Sequence, residues 1–276
     1  MDWITGSKFI TLADYTYSPK EKREDDYDGL PNTFDPHKLK NGDIIYTHTM
    51  YVKDLFKEIR FMRGELILIT HNSDVNIDDT FKIPPCISKW YAQNVNYINA
   101  KIVSVPIGLE NDRWFKDVRK KDKMLAKLKE PRGYADLVYM NFNIATNPAK
   151  RETIYNTLKD KSWVTVDMGV NGSRFDEYLD NIYNHKFVLC PEGNGIDTHR
   201  LWETLYMGSI PIAENNINNS FFTGLPLVLV DYWDSLTYED LDRIHKEYTN
   251  YPYQKEMLTF DYWKNKIIDD RRTITG

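Results

Sequence analysis

Cysteine is nearly absent: Cys86 and Cys190 are the only two in 276 residues. They stand far apart without a C-x-x-C partner, which excludes a disulfide framework and a thiolate zinc site. Long apolar runs are missing too, since no stretch reaches the ~18 apolar residues a membrane helix needs. The opening MDWITGSKFI has no basic segment followed by an apolar one, so a soluble, cytoplasmic chain without a membrane span is expected. Positive charge is in deficit, 36 Lys and Arg against 41 Asp and Glu for a net −5, which leaves no general attraction to nucleic acid. The common phosphate fingerprints also fail. There is no G-x-x-x-x-G-K-[ST], and the stretch from Gly193 to Thr198 lacks the third glycine of the dinucleotide pattern, which argues against a P-loop ATPase and a redox dinucleotide enzyme.

Aromatic residues, by contrast, are plentiful: 19 Tyr, 12 Phe and 7 Trp. Such side chains fill cores or present flat platforms to sugars and bases. Trp90, Tyr91, Trp114 and Tyr139 are platform candidates, with core packing the simpler reading of each. The length suffices for one large core or two of roughly 120 to 140 residues. One basic stretch, residues 116–132 (KDVRKKDKMLAKLKEPR), carries Met124, Leu125 and Leu128 at helical spacing. It reads as a solvated helix in preference to a nucleic-acid contact.

Apolar runs of strand length recur at residues 9–13, 43–47, 66–70, 102–105, 137–141, 163–166, 187–190, 210–213 and 227–230. Between them, Val52, Leu55, Phe56 and Ile59 fall at i, i+3, i+4, i+7, as do Phe175, Tyr178, Leu179 and Ile182 after a Ser173 cap. Thr237 with Asp240 predicts a capping-box start for a helix before Tyr248. Strands alternating with helices imply parallel sheets covered on both faces, an α/β fold. The charged stretch ending at Gly133 interrupts the rhythm, so two domains are expected, residues 1–144 and 145–276, with a ligand cleft between them and the last helix packing back on the first.

The most specific residues are concentrated in residues 186–216, KFVLCPEGNGIDTHRLWETLYMGSIPIAENN. Phe187 to Cys190 predicts a buried strand, Pro191 to Ile196 a turn, and Asp197 the cap of a helix running to about Met207. Gly208 ends that helix and Ser209 to Ala213 returns as a strand. A strand, glycine turn and helix N-terminus leave backbone N–H groups aimed at the partly positive helix end, which suits a phosphate. Arg200 and Glu203, at i and i+3, share one helix face near its start. There a guanidinium can neutralise a diphosphate, and a carboxylate one turn on can accept both ribose hydroxyls. A plain surface Arg–Glu pair is the simpler alternative.

These residues resemble the nucleotide-sugar-binding motif of exostosin-like glycosyltransferases, the family-47-type enzymes, and more loosely the C-terminal domain of GT-B glycosyltransferases. KF-x-L-C-P-x-G-x-G, then D-x-H-R-x-W-E, then G-x-I-P-I covers about a tenth of the chain. VPIGLEN (105–111) and LVYMNFNIATNPAKR (137–151) are similar to weaker family segments. The resemblance implies two facing Rossmann-like domains, with the acceptor on the N-terminal half and a nucleotide sugar on the C-terminal half. It places Arg200 on the diphosphate and Glu203 on the ribose. Gly193, Asn194, Gly195, Thr198 and His199 line the phosphate turn, and Thr146 and Arg151 reach in from the preceding segment. It further implies a UDP-linked donor, UDP-xylose or another pentose or hexose, and a glycan or glycoprotein acceptor. Family members of the secretory pathway are usually longer and membrane-anchored, so the compact chain fits a bacterial or viral relative.

Sugar transfer requires a stabilised leaving diphosphate and a base for the acceptor hydroxyl. Enzymes of the resembled kind do the first with cations and a helix dipole, so neither metal nor other cofactor is expected. Asp26-Tyr27-Asp28 is a D-x-D, but it sits in a charged loop with no strand before it. For the base, loops after first-domain strands offer Asp14, His48, His71 and Asp74. Asp74 and His71 rank first, because Thr70 to Asp74 turns polar immediately after a buried strand, although Asn72, Ser73 and Asp74 equally suit a simple turn. The rival functions are a phage-type DNA base glycosyltransferase, which residues 116–132 would serve, and a non-catalytic nucleotide- or sugar-binding module.

Overall fold

The structure, a computed structural model, describes residues 2–19, 29–112, 120–134, 136–168, 174–249 and 251–276. The chain divides into two compact units, Met1–Ile107 with Thr259–Gly276, and Gly108–Leu258. The first contains helix α1 (Gly6–Ile10), strands β1 (Tyr15–Tyr17) and β2 (Ile44–His48), helix α2 (Val52–Ile59), and strands β3 (Leu66–His71), β4 (Ile87–Ala92) and β5 (Ile102–Ser104). The second runs through α3 (Lys120–Lys127), β6 (Asp136–Met140), α4 (Pro148–Leu158), β7 (Val164–Val166), α5 (Phe175–Asn184) and β8 (His185–Leu189). It continues with α6 (His199–Tyr206), β9 (Ile210–Glu214), α7 (Ile217–Ser220), β10 (Val228–Val230) and α8 (Tyr238–Thr249). Helix α9 (Phe260–Thr275) then belongs to the first unit again.

Each unit is built on a five-stranded sheet whose pairings are all parallel. This is the α/β class that the alternation of strands and helices predicts. The first sheet runs in simple order, β1-β2-β3-β4-β5. Its central strands are apolar on both faces, with all residues of β2 and β3 buried, as a sheet covered on two sides demands. Helix α2 spans the residues its periodicity marks out, and Val52, Leu55, Phe56 and Ile59 are its buried stripe. Each contributes about 1.5–3 kcal/mol by leaving water.

Three elements of this unit depart from expectation, the first being β1 (Tyr15–Tyr17), where the sequence shows no strand-length apolar run. Residues 9–13 form the end of α1 and a turn, with Thr11, Leu12 and Ala13 N–H bonded to Lys8, Phe9 and Ile10 carbonyls. A short apolar run carries no period of its own, and tertiary contacts decide it: Phe9 stacks on His71 at 5.2 Å and meets Phe260 edge-on at 5.4 Å. Strand β4 was not expected, because Ser88 and Lys89 break its apolar run; yet it lies between β3 and β5. Its Trp90 and Tyr91 are fully buried, so they are core residues and not open sugar platforms. Trp114 lies outside the described residues.

The second sheet runs β10-β9-β8-β6-β7. Strand β6 pairs with β8 on one side and β7 on the other, so residues 136–140 belong to the second unit, whereas the sequence division puts them before residue 145. Leu137, Val138 and Met140 join Phe187, Leu189, Ile210 and Ile212 in its core, and Tyr139 is buried. The Phe175 periodicity corresponds to α5, preceded by Arg174; Ser173 lies outside the described residues. Of the capping box expected at Thr237 and Asp240, the structure shows Asp240 N–H bonded to Thr237 Oγ1 at 3.2 Å, while the Thr237 hydroxyl donates to Asp240 Oδ2 at 2.7 Å. The described part of the basic stretch forms α3 with only Met124 buried, the solvated helix its spacing predicts.

Helix α9 is tied to the first sheet by Tyr91, whose hydroxyl donates to Asp270 Oδ2 at 2.6 Å and lies 3.2 Å from the Lys266 carbonyl. Burial, then Asp270, raises this phenol's pKa, so it remains a donor. Replacing Tyr91→Phe is expected to lower unfolding free energy by about 1–3 kcal/mol, since it strands a half-buried carboxylate. Urea denaturation checks this, and an unchanged midpoint would refute it.

Candidate functional site

The strand order reverses in the second sheet. From β6 the chain goes outward to β7, then returns across β6 to β8 and on to β9 and β10. At such a reversal the connections leave on opposite faces, and a crevice opens outside the carboxyl ends of the two adjacent strands. Those strands are β6, which ends at Met140 and leads into Asn141, and β8, which leads through Cys190 into the turn at 191–196. The candidate nucleotide residues collect at this place.

The turn is held from below by Arg151 on α4. Only 5% exposed, its guanidinium donates to three backbone carbonyls: Glu192 and Asn143, both at 2.9 Å, and Pro191 at 3.2 Å. Asn147 Nδ2 adds a bond to the Gly193 carbonyl at 3.0 Å. A β-carbon on Gly193 would come within 3.0 Å of Arg151 Nη2 and 3.7 Å of Thr146 Cγ2. A side chain there would press on the guanidinium, so glycine lets the turn lie close to Arg151, and Thr146, Arg151 and Gly193 are brought together. Arg151 acts on the turn through carbonyls and thus positions it.

Beyond the turn, the N-cap of α6 is Thr198, one residue later than expected. The Asp197 carboxylate is instead buried under the helix, accepting the indole N–H of Trp202 at 2.8 and 3.1 Å. It is therefore closed to solvent at the start of α6. The N–H groups of Asn194, Gly195 and Thr198 find no backbone acceptor among the described residues. Thr198 Oγ1 and Arg200 Nε are buried side-chain atoms without a hydrogen bond. Helix α6 ends as predicted, with Gly208 in the left-handed region at φ +74°.

Arg200 and Glu203 share a face and a common neighbour, Tyr178 of α5. The Tyr178 hydroxyl donates to Glu203 Oε2 at 2.6 Å, and the Arg200 guanidinium lies 5.8 Å from its ring centre. Burial, then Glu203, raises the Tyr178 pKa far enough to keep it a donor. Arg200 Nη2 also reaches Asn141 Oδ1 at 3.4 Å, which joins α6 to the end of β6. Burial works to lower the Arg200 pKa, but Tyr178, Cys190 and Glu203 together raise it. Arg151 is pushed down to about 10, by burial first and by Arg200 second. Arg151 and Arg200 thus bring two positive charges to this end of the sheet, a field that favours an anion.

His199, the first residue of α6, is occupied differently. Its Nδ1 bonds the Gly108 carbonyl at 2.7 Å and its Nε2 lies 3.3 Å from Glu110 Oε2. Burial works against the imidazolium, but Glu110 and the Gly108 carbonyl outweigh it and push its pKa up to about 9. Glu110 is held below its usual value: burial acts to raise it, and the His199 bond overrides this. Glu214, at the end of β9, receives the Glu192 N–H and is pushed up to about 7 by burial and then by Glu192.

In the first unit, His71 closes β3 and is 1% exposed. Its Nδ1 accepts the Asn72 N–H at 2.8 Å and its Nε2 pairs with the Pro106 carbonyl at 3.0 Å, an arrangement that commits both nitrogens. Asp74 is exposed on the loop that follows. His48 is buried at the end of β2. Asp14 accepts the Ile44 N–H at 2.9 Å and pairs with Arg271 at 3.2 Å, which are structural ties. Asp26-Tyr27-Asp28 lies outside the described residues.

Sequence reasoning missed Asn141, Asn147, Tyr178 and Glu110. Tyr178 was visible only as part of an apolar stripe, and Glu110, Asn141 and Asn147 only as members of the segments 105–111 and 137–151, whose resemblance assigned them no role.

The His199–Glu110 pair predicts a pH signature. With the His199 pKa raised in the folded chain, its contribution to stability is full below about pH 6.5 and is lost as pH rises through about 9. The melting-temperature advantage of the wild type over Glu110→Gln should therefore be largest near about pH 6 and vanish near about pH 10. An advantage independent of pH would show that the pair is not charged as assigned.

No protein-family model matches the chain, and no curated protein matches its sequence. Among solved structures, it is similar to AviGT4, a glycosyltransferase involved in avilamycin A biosynthesis, at 9% identity over 84% of this chain and 85% of that one, with a TM-score of 0.39. It is also similar to α,α-trehalose 6-phosphate synthase from Burkholderia multivorans, at 8% identity over 87% and 72% of the two chains, with a TM-score of 0.44. A GtfA/B complex matches at 12% identity over 86% of this chain and 59% of that one, with a TM-score of 0.40.

Proposed function

We propose that the chain is a GT-B-type glycosyltransferase that moves a sugar from a nucleoside diphosphate donor, UDP-linked, to a hydroxyl of a glycan or glycoprotein. The reading is carried by Arg200 and Glu203, set on one face of α6 at the strand-order reversal. Around them, the turn at 191–196 offers N–H groups, and Arg151 adds a second positive charge from beneath. A diphosphate fits the cations and the helix end, and a ribose diol fits the Glu203 carboxylate. The motif in residues 186–213 supports an exostosin-like, family-47-type member of this class.

In the proposed reaction the acceptor oxygen attacks the anomeric carbon as the bond to the diphosphate breaks, with inversion. The departing electron pair stays on the diphosphate, where Arg200 and the α6 N-terminus stabilise it. The acceptor proton passes to a base. Asp74 takes that role, because the His71 nitrogens are bonded within the fold and His71 serves to hold the loop that carries Asp74.

Thermal shift with a panel of UDP-, GDP- and CMP-sugars, in Mg²⁺ and in EDTA, tests the donor site. A UDP-sugar at a hundred times its Kd should stabilise the chain by about 2.7 kcal/mol in either buffer. The shift should disappear in Glu203→Ala. Survival of binding in that variant, or a shift with no donor, would remove the proposal. With donor and acceptor in hand, Asp74→Asn should lower kcat by about 10²–10⁴ and leave the donor shift intact; unchanged turnover would reassign the base.

A further inference from the structure

Glu214 stands half-buried at the end of β9, beside the start of the turn at 191–196, and no step of the proposed transfer uses it. Both of its carboxylate oxygens lie on one donor, the Glu192 N–H, at 3.2 and 3.3 Å. The carbonyl of the same residue accepts Arg151 Nε at 2.9 Å. The Glu192 backbone is thus clamped between a carboxyl group of β9 and a guanidinium of α4, one residue before Gly193. The turn that offers N–H groups to a diphosphate starts from this clamp.

The charges around the clamp are unevenly shared. The Glu192 carboxylate takes the nearby cation and amide: Lys150 Nζ bonds its Oε2, and Asn216 Nδ2 bonds its Oε1 at 2.9 Å. Glu214 is left with a single shared N–H and pairs with no cation among the described residues. The groups that act on it are Glu192 on the turn, Lys150 and Arg151 on α4, and Cys190 after β8. Burial pushes the Cys190 thiol up to about 12 and keeps it neutral. Asp231, which follows β10, is bonded to Asn215 at 2.9 Å.

One weak donor, partial burial and a neighbouring carboxylate all disfavour charge on Glu214, which agrees with a pKa pushed up to about 7. A neutral carboxylic acid still accepts the Glu192 N–H through its carbonyl oxygen, so the clamp holds in both protonation states. What changes is the field. Charged Glu214 offsets the Arg151 guanidinium, as its raising of the Arg151 pKa shows, and neutral Glu214 leaves that positive charge to the turn.

We propose that Glu214 is a positioning residue of the phosphate turn, acting through the Glu192 peptide and Arg151, and that an anion on the turn is held more tightly when Glu214 carries a proton. The proposal rests on the reading of this turn as the diphosphate site. By linkage, the bound anion draws a proton onto Glu214.

Calorimetric titration with UDP-glucose tests it, because a diphosphate esterified at both ends keeps one charge across the neutral range. The wild type should bind about fivefold more tightly at about pH 6 than at about pH 8, with proton uptake visible as a heat that depends on the buffer. Glu214→Gln keeps an acceptor for the Glu192 N–H and cannot titrate, so its affinity should be the same at both pH values. Glu214→Ala lacks the acceptor and should bind more weakly than Glu214→Gln at both. Without ligand, a carboxyl pKa raised by folding costs stability progressively from about pH 4.3 upward, fully above about pH 7. The melting temperature of Glu214→Gln relative to the wild type should therefore climb over that range and then level off. Equal wild-type affinity at the two pH values, pH dependence retained in Glu214→Gln, or a flat melting difference would overturn the proposal and leave the donor site standing. Failure of UDP-glucose and every other UDP-sugar to bind at either pH would remove the donor reading, and this proposal with it.

Discussion

The second unit depends on one buried cation. Arg151 draws the loop after β6 and the loop after β8 onto a single guanidinium through the carbonyls of Asn143, Pro191 and Glu192. Taking a charge out of water is costly, and three charge-assisted bonds of about 1.5–3 kcal/mol each offset much of that cost. What the bonds achieve is placement. They fix the ends of the two strands at which the sheet order reverses, and so fix the turn that ends at α6. Lysine at this position would supply the charge without the planar fork that reaches three carbonyls at once.

That placement organises the electrostatics around α6. Arg200 sits over Tyr178 and reaches Asn141, Glu203 receives the Tyr178 hydroxyl, and His199 is kept charged by Glu110. Each charged group is held by a partner from another element, which limits its conformational freedom before any ligand arrives. Preorganised charge of this kind stabilises an anion more than mobile surface charge does, because no reorganisation is required when the anion binds.

Much of this was legible in the residues. The stripes Val52–Leu55–Phe56–Ile59 and Tyr178–Leu179–Ile182 are the buried faces of α2 and α5, and the progression from β8 through a glycine turn to α6 and β9 is as the spacing predicts. Periodicity over two turns, a capping residue and a glycine at a left-handed position are local signals, and they survive folding because tertiary packing reinforces them. Where the local signal was short, tertiary contacts overrode it. Residues 9–13 became a helix end and turn beneath His71 and Phe260, and β4 formed despite Lys89 because its Trp90 and Tyr91 fill the first core. The base candidates were similarly open, since all four were polar residues near strand ends; hydrogen bonding then separated Asp14 and His71, which are tied into the fold, from exposed Asp74.

By itself, the sequence determined the class of the fold, the extent of its strongly periodic helices and the strand–turn–helix corner where Arg200 and Glu203 share a face. These depend on interactions within a few residues of one another. Only the tertiary structure decided that β6 pairs with β8 and belongs to the second unit, that Asp197 turns inward to Trp202, and that Arg151 binds carbonyls from two loops. Strand order and the burial of polar groups are settled by partners distant in sequence, and no local pattern encodes which partner will be there.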